Sequence, residues 1–309
     1  MTPAGHLLSG YLAGEWLAQW AQDRRERFWI VGAGVLGGIA PDFDVVLGLA
    51  GGYAGAGLHR SFSHSLLGAF LVAGLMWAAV RPRRAIIFAA GLGGLLSHIF
   101  WDAWNFWSVQ LLWPLSWSPK WNLIHEGDLY ALGIVALAAV LVWKNCRWAA
   151  AAVLILLVPS YLIVQLRWRD HARELARREL VGRRAEVYPT GRLRCGWTAL
   201  SAGEADLRVY CVTSPWTACL EPVFSAPIRD DFFTRASRRS NAVQEFVAKT
   251  PFPFAEETPA ADGGAVVIWR DLREAYQQKP GAVPTGIHVR LDAAGRILSE
   301  RHQWWLSVW

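Results

Sequence analysis

RWAAAAVLILLVPSYLIVQLRWRDHARELARRELVGRR, residues 147–184, decides the architecture of this chain. After Arg147 no charged residue occurs until Arg167. A helix of about 20 apolar residues crosses the hydrocarbon core of a bilayer, so residues 147–166 read as a membrane span. From Arg167 the same stretch turns densely charged and keeps only a thin apolar stripe of Leu175, Leu180 and Val181. It reads as an amphipathic stalk, residues 167–184. The chain therefore divides into an apolar part, residues 1–166, the stalk, and an ordinary soluble sequence, residues 185–309.

Working towards the N-terminus, further apolar segments lie at residues 6–20, 28–50, 65–80, 85–101 and 128–143. Residues 6–20 are short, fitting a half-helix or an interfacial helix. The segment 28–50 is interrupted by Pro41, Asp42 and Asp44, so its second half is expected to re-enter rather than span; broken backbone is tolerated at membrane depth only where it lines a cavity or is buried. Trp101, Trp104, Trp107, Trp113, Trp117 and Trp121 form a dense aromatic stretch within a chain of 309 residues that holds 19 Trp and is 53% hydrophobic. Tryptophan favours the membrane–water interface, so this stretch reads as a belt on the bilayer surface, with a Trp-packed core as the alternative. The expected fold is mainly α: a polytopic helical membrane domain with a smaller soluble α+β domain at the C-terminus.

Short basic loops at residues 24–27, 81–84 and 144–147 belong in the cytoplasm by the positive-inside rule. Alternating spans then place the acidic and histidine-rich loops, and the C-terminal domain, on the opposite face of an inner membrane. The basic stalk conflicts with this, but long domains translocate largely regardless of charge. No cleavable signal peptide is evident, because the N-terminus lacks a basic region and His6 and Glu15 interrupt its apolar run. The net charge of +6 fits the ordinary bias of membrane-protein loops, or contact with anionic lipid. No nucleic-acid partner is expected, and the oligomeric state is open.

The C-terminal part contains β-like runs at residues 207–213, 264–270 and 286–292, the last turning at Ala293-Ala294-Gly295 into a hairpin. Residues 228–249 show helical spacing, and the Pro-rich segment 250–262 reads as a loop. An outside location would permit one disulfide among Cys195, Cys211 and Cys219. Cys146 falls at a cytoplasmic helix end. No cysteine pairing has zinc spacing. His171, His288 and His302 are isolated and read as surface or packing residues.

The chemistry lies in the apolar part. Ionisable groups at membrane depth are costly and usually face a cavity where they act. His98 and Asp102 are four residues apart at a helix end, on one face and one turn apart; both can reach one ion, or simply bond to each other. Asp42 and Asp44 are two apart, so in extended backbone both carboxylates share a face; a turn-and-cap pair is the alternative. His59 and His64 bracket Arg60-Ser61-Phe62-Ser63, and Ser63 or Ser65 stands where a helix begins. Arg60 suits a substrate phosphate, because its guanidinium forks onto two oxygens; a salt bridge to a nearby acid is the alternative. Ser63 is grouped with Arg60 as substrate-binding. His6 gains its case from the company of the others, and His125, Glu126 and Asp128 follow the Trp stretch.

In order, TPAGH, GGIAPDFD, HRSFSHS and SHIFWD resemble the motifs of the YdjM-like family of membrane-bound, metal-dependent hydrolases, some described as LexA-regulated. The resemblance covers roughly residues 1–166. It implies a metal site of His6, Asp42, Asp44, His59, His64, His98 and Asp102. The chain departs from the family pattern at Ser61, where Gly is usual, and at Ser63, where Thr is usual; the second change keeps the hydroxyl. A more distant resemblance to zinc-dependent phospholipases C and zinc nucleases favours phosphoester substrates.

These readings lead to a metal-dependent hydrolase holding one or two divalent ions, zinc first among them. Bound metal lowers the pKa of water to about 7. Asp44 or Glu126 is the expected general base, Arg60 the phosphate binder, and the substrate a lipid-like phosphoester entering past the Trp stretch from the membrane lipid. Two rivals use the same residues: a divalent-metal or ion-coupled transporter, and a non-catalytic scaffold with a structural metal.

Overall fold

The computed structural model describes residues 2–44, 60–80, 85–105, 107, 109–115, 117–118, 121–192, 195–278 and 284–303. The chain forms two compact units: Met1–Arg169 with Pro189–Leu193, and Asp170–Tyr188 with Arg194–Trp309. About half of the described chain is helical, and the strands fall in the C-terminal part, so the fold is an α+β mixture.

The first unit contains α1 (Pro3–Leu17), α2 (Arg24–Ile39), α3 (Leu66–Ala79), α4 (Ala85–Ala103), α5 (Leu129–Trp143) and most of α6 (Arg147–Glu179). Their starts follow from local chemistry. Thr2 caps α1 by accepting from the Gly5 N–H, ahead of Pro3, whose missing N–H is harmless in a first turn. Asp23, Ser65 and Asp128 cap α2, α3 and α5 in the same way. Among the described residues, α4 and α6 are long and apolar enough to cross a membrane; α3 and α5 are apolar but shorter.

Helices α1, α2 and α4 meet backbone to backbone. A Cβ on Gly34 of α2 would lie 2.6 Å from both the Gly10 carbonyl oxygen and the Gly14 nitrogen of α1. A Cβ on Gly94 of α4 would lie 2.1 Å from the Gly34 carbonyl oxygen. Small residues permit this approach where lipid gives helices no hydrophobic reason to associate. Ile30, Ala33, Ile87 and Ala90 fill one side of the three-helix contact. Ala69, Ala73, Leu95 and Ile99 seat α3 against α4. The close approach brings His6 on α1, the end of α2, and His98 and Asp102 on α4 to one place.

Helix α2 stops at Ile39 and tightens into a 3-10 turn, Ala40–Phe43, that carries Pro41. The expected break of residues 28–50 is thus present at its predicted proline. The backbone there is a tight turn and not the extended segment the sequence suggested, and residues 45–59 lie outside the described residues.

The Trp stretch is neither a simple belt nor a simple core. Trp101 is buried, Trp104 and Trp121 pack at 4.3 Å between ring centroids, and Trp117 is exposed. Main-chain bonds from Leu123 and Ile124 to the Trp104 carbonyl close this loop at its base.

Among the described residues, the C-terminal part of the chain forms two four-stranded sheets, antiparallel at each pairing after the first. One has the order β1 (Arg184–Arg192), β2 (Cys195–Ala202), β3 (Asp206–Val212), β4 (Glu221–Pro227); the other β5 (Pro253–Pro259), β6 (Ala265–Asp271), β7 (Gly286–Leu291), β8 (Ile297–Gln303). A disulfide joins Cys195 to Cys211, while Cys146 and Cys219 are free and exposed. The helix expected over 228–249 is two, α7 (Phe232–Ser237) and α8 (Asn241–Lys249), because Ser240 caps a second start. The segment expected as a Pro-rich loop contains β5. Its prolines, Pro253 and Pro259, sit at the ends of an edge strand, where a missing N–H is tolerated. Trp269 of β6 is buried and donates to the Ser237 hydroxyl at 2.9 Å, fixing α7 over the second sheet.

Candidate metal centre

Asp42, His64, His98 and Asp102 each place one donor atom within 4.8 Å of all the others. Asp42 comes from the turn after α2, His64 from a second 3-10 turn, Phe62–His64, and His98 and Asp102 from successive turns of α4. The i,i+4 spacing therefore does what the sequence suggested.

The separations are those of ligands around an ion. His64 Nε2 and His98 Nε2 stand 3.2 Å apart. Asp42 Oδ1 is 3.6 Å from His64 Nε2 and 3.5 Å from His98 Nε2. Asp102 Oδ2 is 3.6 Å and 3.8 Å from the same two nitrogens. Four donors arranged tetrahedrally about 2.0–2.1 Å from zinc are about 3.3 Å from one another. Five of the six edges are thus close to a coordination polyhedron.

Hydrogen bonding at the outer ring nitrogens also fits an ion. His98 Nδ1 lies 2.8 Å from the Gly38 carbonyl oxygen, which only accepts, so Nδ1 carries a hydrogen and, in the neutral ring, Nε2 offers its lone pair inward. Ligating histidines are typically held this way. Three of the four side chains are almost fully buried; Asp42 is about one-third exposed, at 36%, and marks the open side.

Other expected residues surround this group. His6 places Nε2 3.2 Å from Asp102 Oδ1, the oxygen opposite the one facing the cluster, and stacks on His98 at 3.7 Å between ring centroids. Arg60 places Nη2 3.3 Å from Asp102 Oδ2 and 3.8 Å from Glu126 Oε1, and donates from Nη1 to the Trp107 carbonyl. The salt-bridge alternative for Arg60 is therefore realised. Its backbone is left-handed, with φ 65°, a conformation that bulky residues adopt rarely and often at functional sites. The Arg60 carbonyl accepts from Gln110, and the Leu111 carbonyl accepts from Leu66, so the Trp loop is tied to the segment carrying His64.

Asp44 is outside the four-residue group. The tight turn sends its carboxylate behind His64, where it accepts a hydrogen bond from Ser63. Residues two apart share a face in a strand but not in a 3-10 turn of three residues. His59 lies outside the described residues. Asp128 caps α5 and accepts from Tyr161. His125 accepts from the Gly127 N–H through Nδ1, and burial holds its pKa below the ordinary value.

Sequence reasoning passed over the Gly38 carbonyl and the link from Asp44 to Ser63. Backbone acceptors carry no side-chain signature, and the link depends on two residues separated by a long segment.

Residues 1–172 match the family model described as YdjM inner membrane protein. The chain belongs to this family. No curated protein and no solved structure matches it. Membership covers every residue of the cluster, so the group able to hold a metal lies within the YdjM region. The family description places such proteins in the inner membrane, in keeping with the two apolar helices long enough to cross it.

Proposed function

We propose that this YdjM-family chain is a polytopic inner-membrane hydrolase that uses one divalent ion, zinc first among the candidates, against a phosphoester of a lipid-like substrate. The observation that carries this reading is the convergence of two imidazole nitrogens and two carboxylates at ligand-like separations. His64, His98, Asp42 and Asp102 would hold the ion. When bound, such an ion supplies Lewis acidity and makes water an available nucleophile near neutral pH.

The chain's own groups would do the rest. Arg60, held beside Asp102, would bind phosphoryl oxygens through its guanidinium. Glu126, beside Arg60 and 34% exposed, would accept the proton from water. Substrate would approach on the Asp42 side. Apolar residues flank that side: Phe43 follows Asp42 and is exposed, and Phe62, Leu66, Leu67, Phe70 and Leu71 continue an exposed apolar surface along α3. A surface of that kind suits an acyl or prenyl chain lying in lipid.

The site and second unit would face the non-cytoplasmic side. Basic loops on the opposite ends of the helices support this side, and the Cys195–Cys211 disulfide suits an oxidising compartment.

The test is hydrolysis of phospholipid and polyprenyl-phosphate substrates by zinc-loaded, full-length protein in detergent or nanodiscs. Activity that disappears in both His98→Ala and Asp102→Ala supports the reading. Metal flux across liposomes without hydrolysis assigns transport instead.

A further inference from the structure

The geometry points to Ser63 as a positioning residue, whose hydroxyl couples the Asp44 carboxylate to His64 and fixes which ring nitrogen of His64 faces the ion. The inference rests on the metal reading above and gives Ser63 and Asp44 roles distinct from substrate binding and ligation.

His64 turns Nε2 toward His98, Asp42 and Asp102. To serve as a ligand, Nε2 needs a free lone pair, so its proton must reside on Nδ1. Nδ1 lies 3.0 Å from Ser63 Oγ. Asp44 Oδ2 lies 3.8 Å from Nδ1, too far for a direct hydrogen bond, and within hydrogen-bond reach of Ser63 Oγ. The hydroxyl fills that gap.

The direction of the chain is fixed by the donors and acceptors. An ionised carboxylate only accepts, so Ser63 Oγ–H donates to Asp44. The hydroxyl has then spent its one proton and can only accept from His64, which places hydrogen on Nδ1. The reverse arrangement would put a proton on Nε2, facing the neighbouring imidazole and repelling a cation. Of the two neutral tautomers of His64, only this one fits the hydroxyl's donation to Asp44, and it leaves Nε2 ready to bind metal.

His98 meets the same requirement through a main-chain carbonyl, that of Gly38. His64 meets it through a side chain backed by a negative charge, which also raises the donor strength of the ring. Outer partners of this kind are commonly worth about 10–100-fold in metal affinity. Ser63 precedes His64 in the 3-10 turn Phe62–His64, so its backbone holds the hydroxyl beside the ring.

The experiment is zinc affinity of the purified full-length protein in detergent, measured by competition with a chromophoric chelator, with thermal melting as a control for folding. Ser63→Ala is expected to weaken zinc binding about 10–100-fold, and Ser63→Thr, which keeps the hydroxyl, to stay within about 3-fold of wild type. Asp44→Ala should weaken binding comparably. The double variant Ser63→Ala/Asp44→Ala should lose little more than either alone, since both act through one chain. A purely structural role would lower melting temperature without that non-additivity. Wild-type affinity in Ser63→Ala, or fully additive losses in the double variant, overturns the inference while leaving the metal reading intact. Wild-type protein that binds no zinc overturns the metal reading, and this inference with it.

Discussion

His64 and His98 face each other through their Nε2 atoms across 3.2 Å, at the meeting point of Asp42 and Asp102. Two imidazoles presenting lone pairs to each other repel unless a proton or a cation stands between them. Zinc should therefore stabilise the protein strongly. A ligand at about 1,000 times its Kd adds about 4 kcal/mol to the folded state. Thermal melts should show a saturable rise in Tm with zinc and a fall with a chelator. Both responses should vanish in His64→Ala.

Arg60 holds the buried carboxylate of Asp102 and the Trp107 carbonyl at once. Removing one partner of a buried ion pair costs about 3–5 kcal/mol, because the other charge is left uncompensated. Arg60→Met should lower Tm and abolish hydrolysis. Arg60→Lys keeps the charge but not the two-pronged geometry, so it should retain most stability and lose most activity. The pair of variants, compared by melting and by turnover, separates holding the fold from binding substrate.

Gly34 and Gly32 lie two residues apart on α2 and have opposite surroundings. A Cβ at Gly34 meets α1 backbone at 2.6 Å, whereas a Cβ at Gly32 meets nothing within 4 Å. Gly34→Ala should force α1 away from α2, cost about 1–3 kcal/mol or more, and weaken metal binding by moving His6 and the turn that carries Asp42. Gly32→Ala should be neutral or stabilising by up to about 1 kcal/mol. Melting temperature and zinc affinity of the two variants check this together.

His125 accepts the Gly127 N–H through Nδ1, and burial keeps its pKa below the ordinary value. Between the depressed folded value and about 6.5, the unfolded chain binds more protons than the folded one, so stability rises with pH. The contribution is complete above about 6.5 and is lost as pH falls from there toward the folded value. Melting temperature should drop on acidification in that window, and His125→Gln should flatten the slope.

Cys146 and Cys219 are free and exposed, whereas Cys195 and Cys211 are joined. On the proposed orientation, which puts the basic loop at residues 144–147 in the cytoplasm, a membrane-impermeant maleimide given to cells with a permeable outer membrane should label Cys219 and spare Cys146. The converse pattern would reverse the orientation.

Some of the site was legible in the sequence, and the reason is locality. His98 and Asp102 are one helical turn apart, so periodicity alone brought them together. The proline before Asp42 correctly marked the end of α2. The same proline tightened the backbone into a 3-10 turn, which separated Asp42 from Asp44 and was not legible from alternation. The richness in glycine was visible, but that Gly34 meets Gly10, Gly14 and Gly94 depends on long-range packing. In the second unit, Pro253 and Pro259 suggested a loop, since local sequence does not say that a strand will lie at an edge.

The central claim is that Asp42, His64, His98 and Asp102 hold one ion together. Elemental analysis of purified full-length protein, paired with X-ray absorption at the metal edge, tests it most directly. The account predicts about one divalent ion per chain in a mixed nitrogen and oxygen shell at about 2.0–2.2 Å, lost in His98→Ala and in Asp102→Ala. Metal at background level in the wild type, or an unchanged shell in both variants, would contradict it.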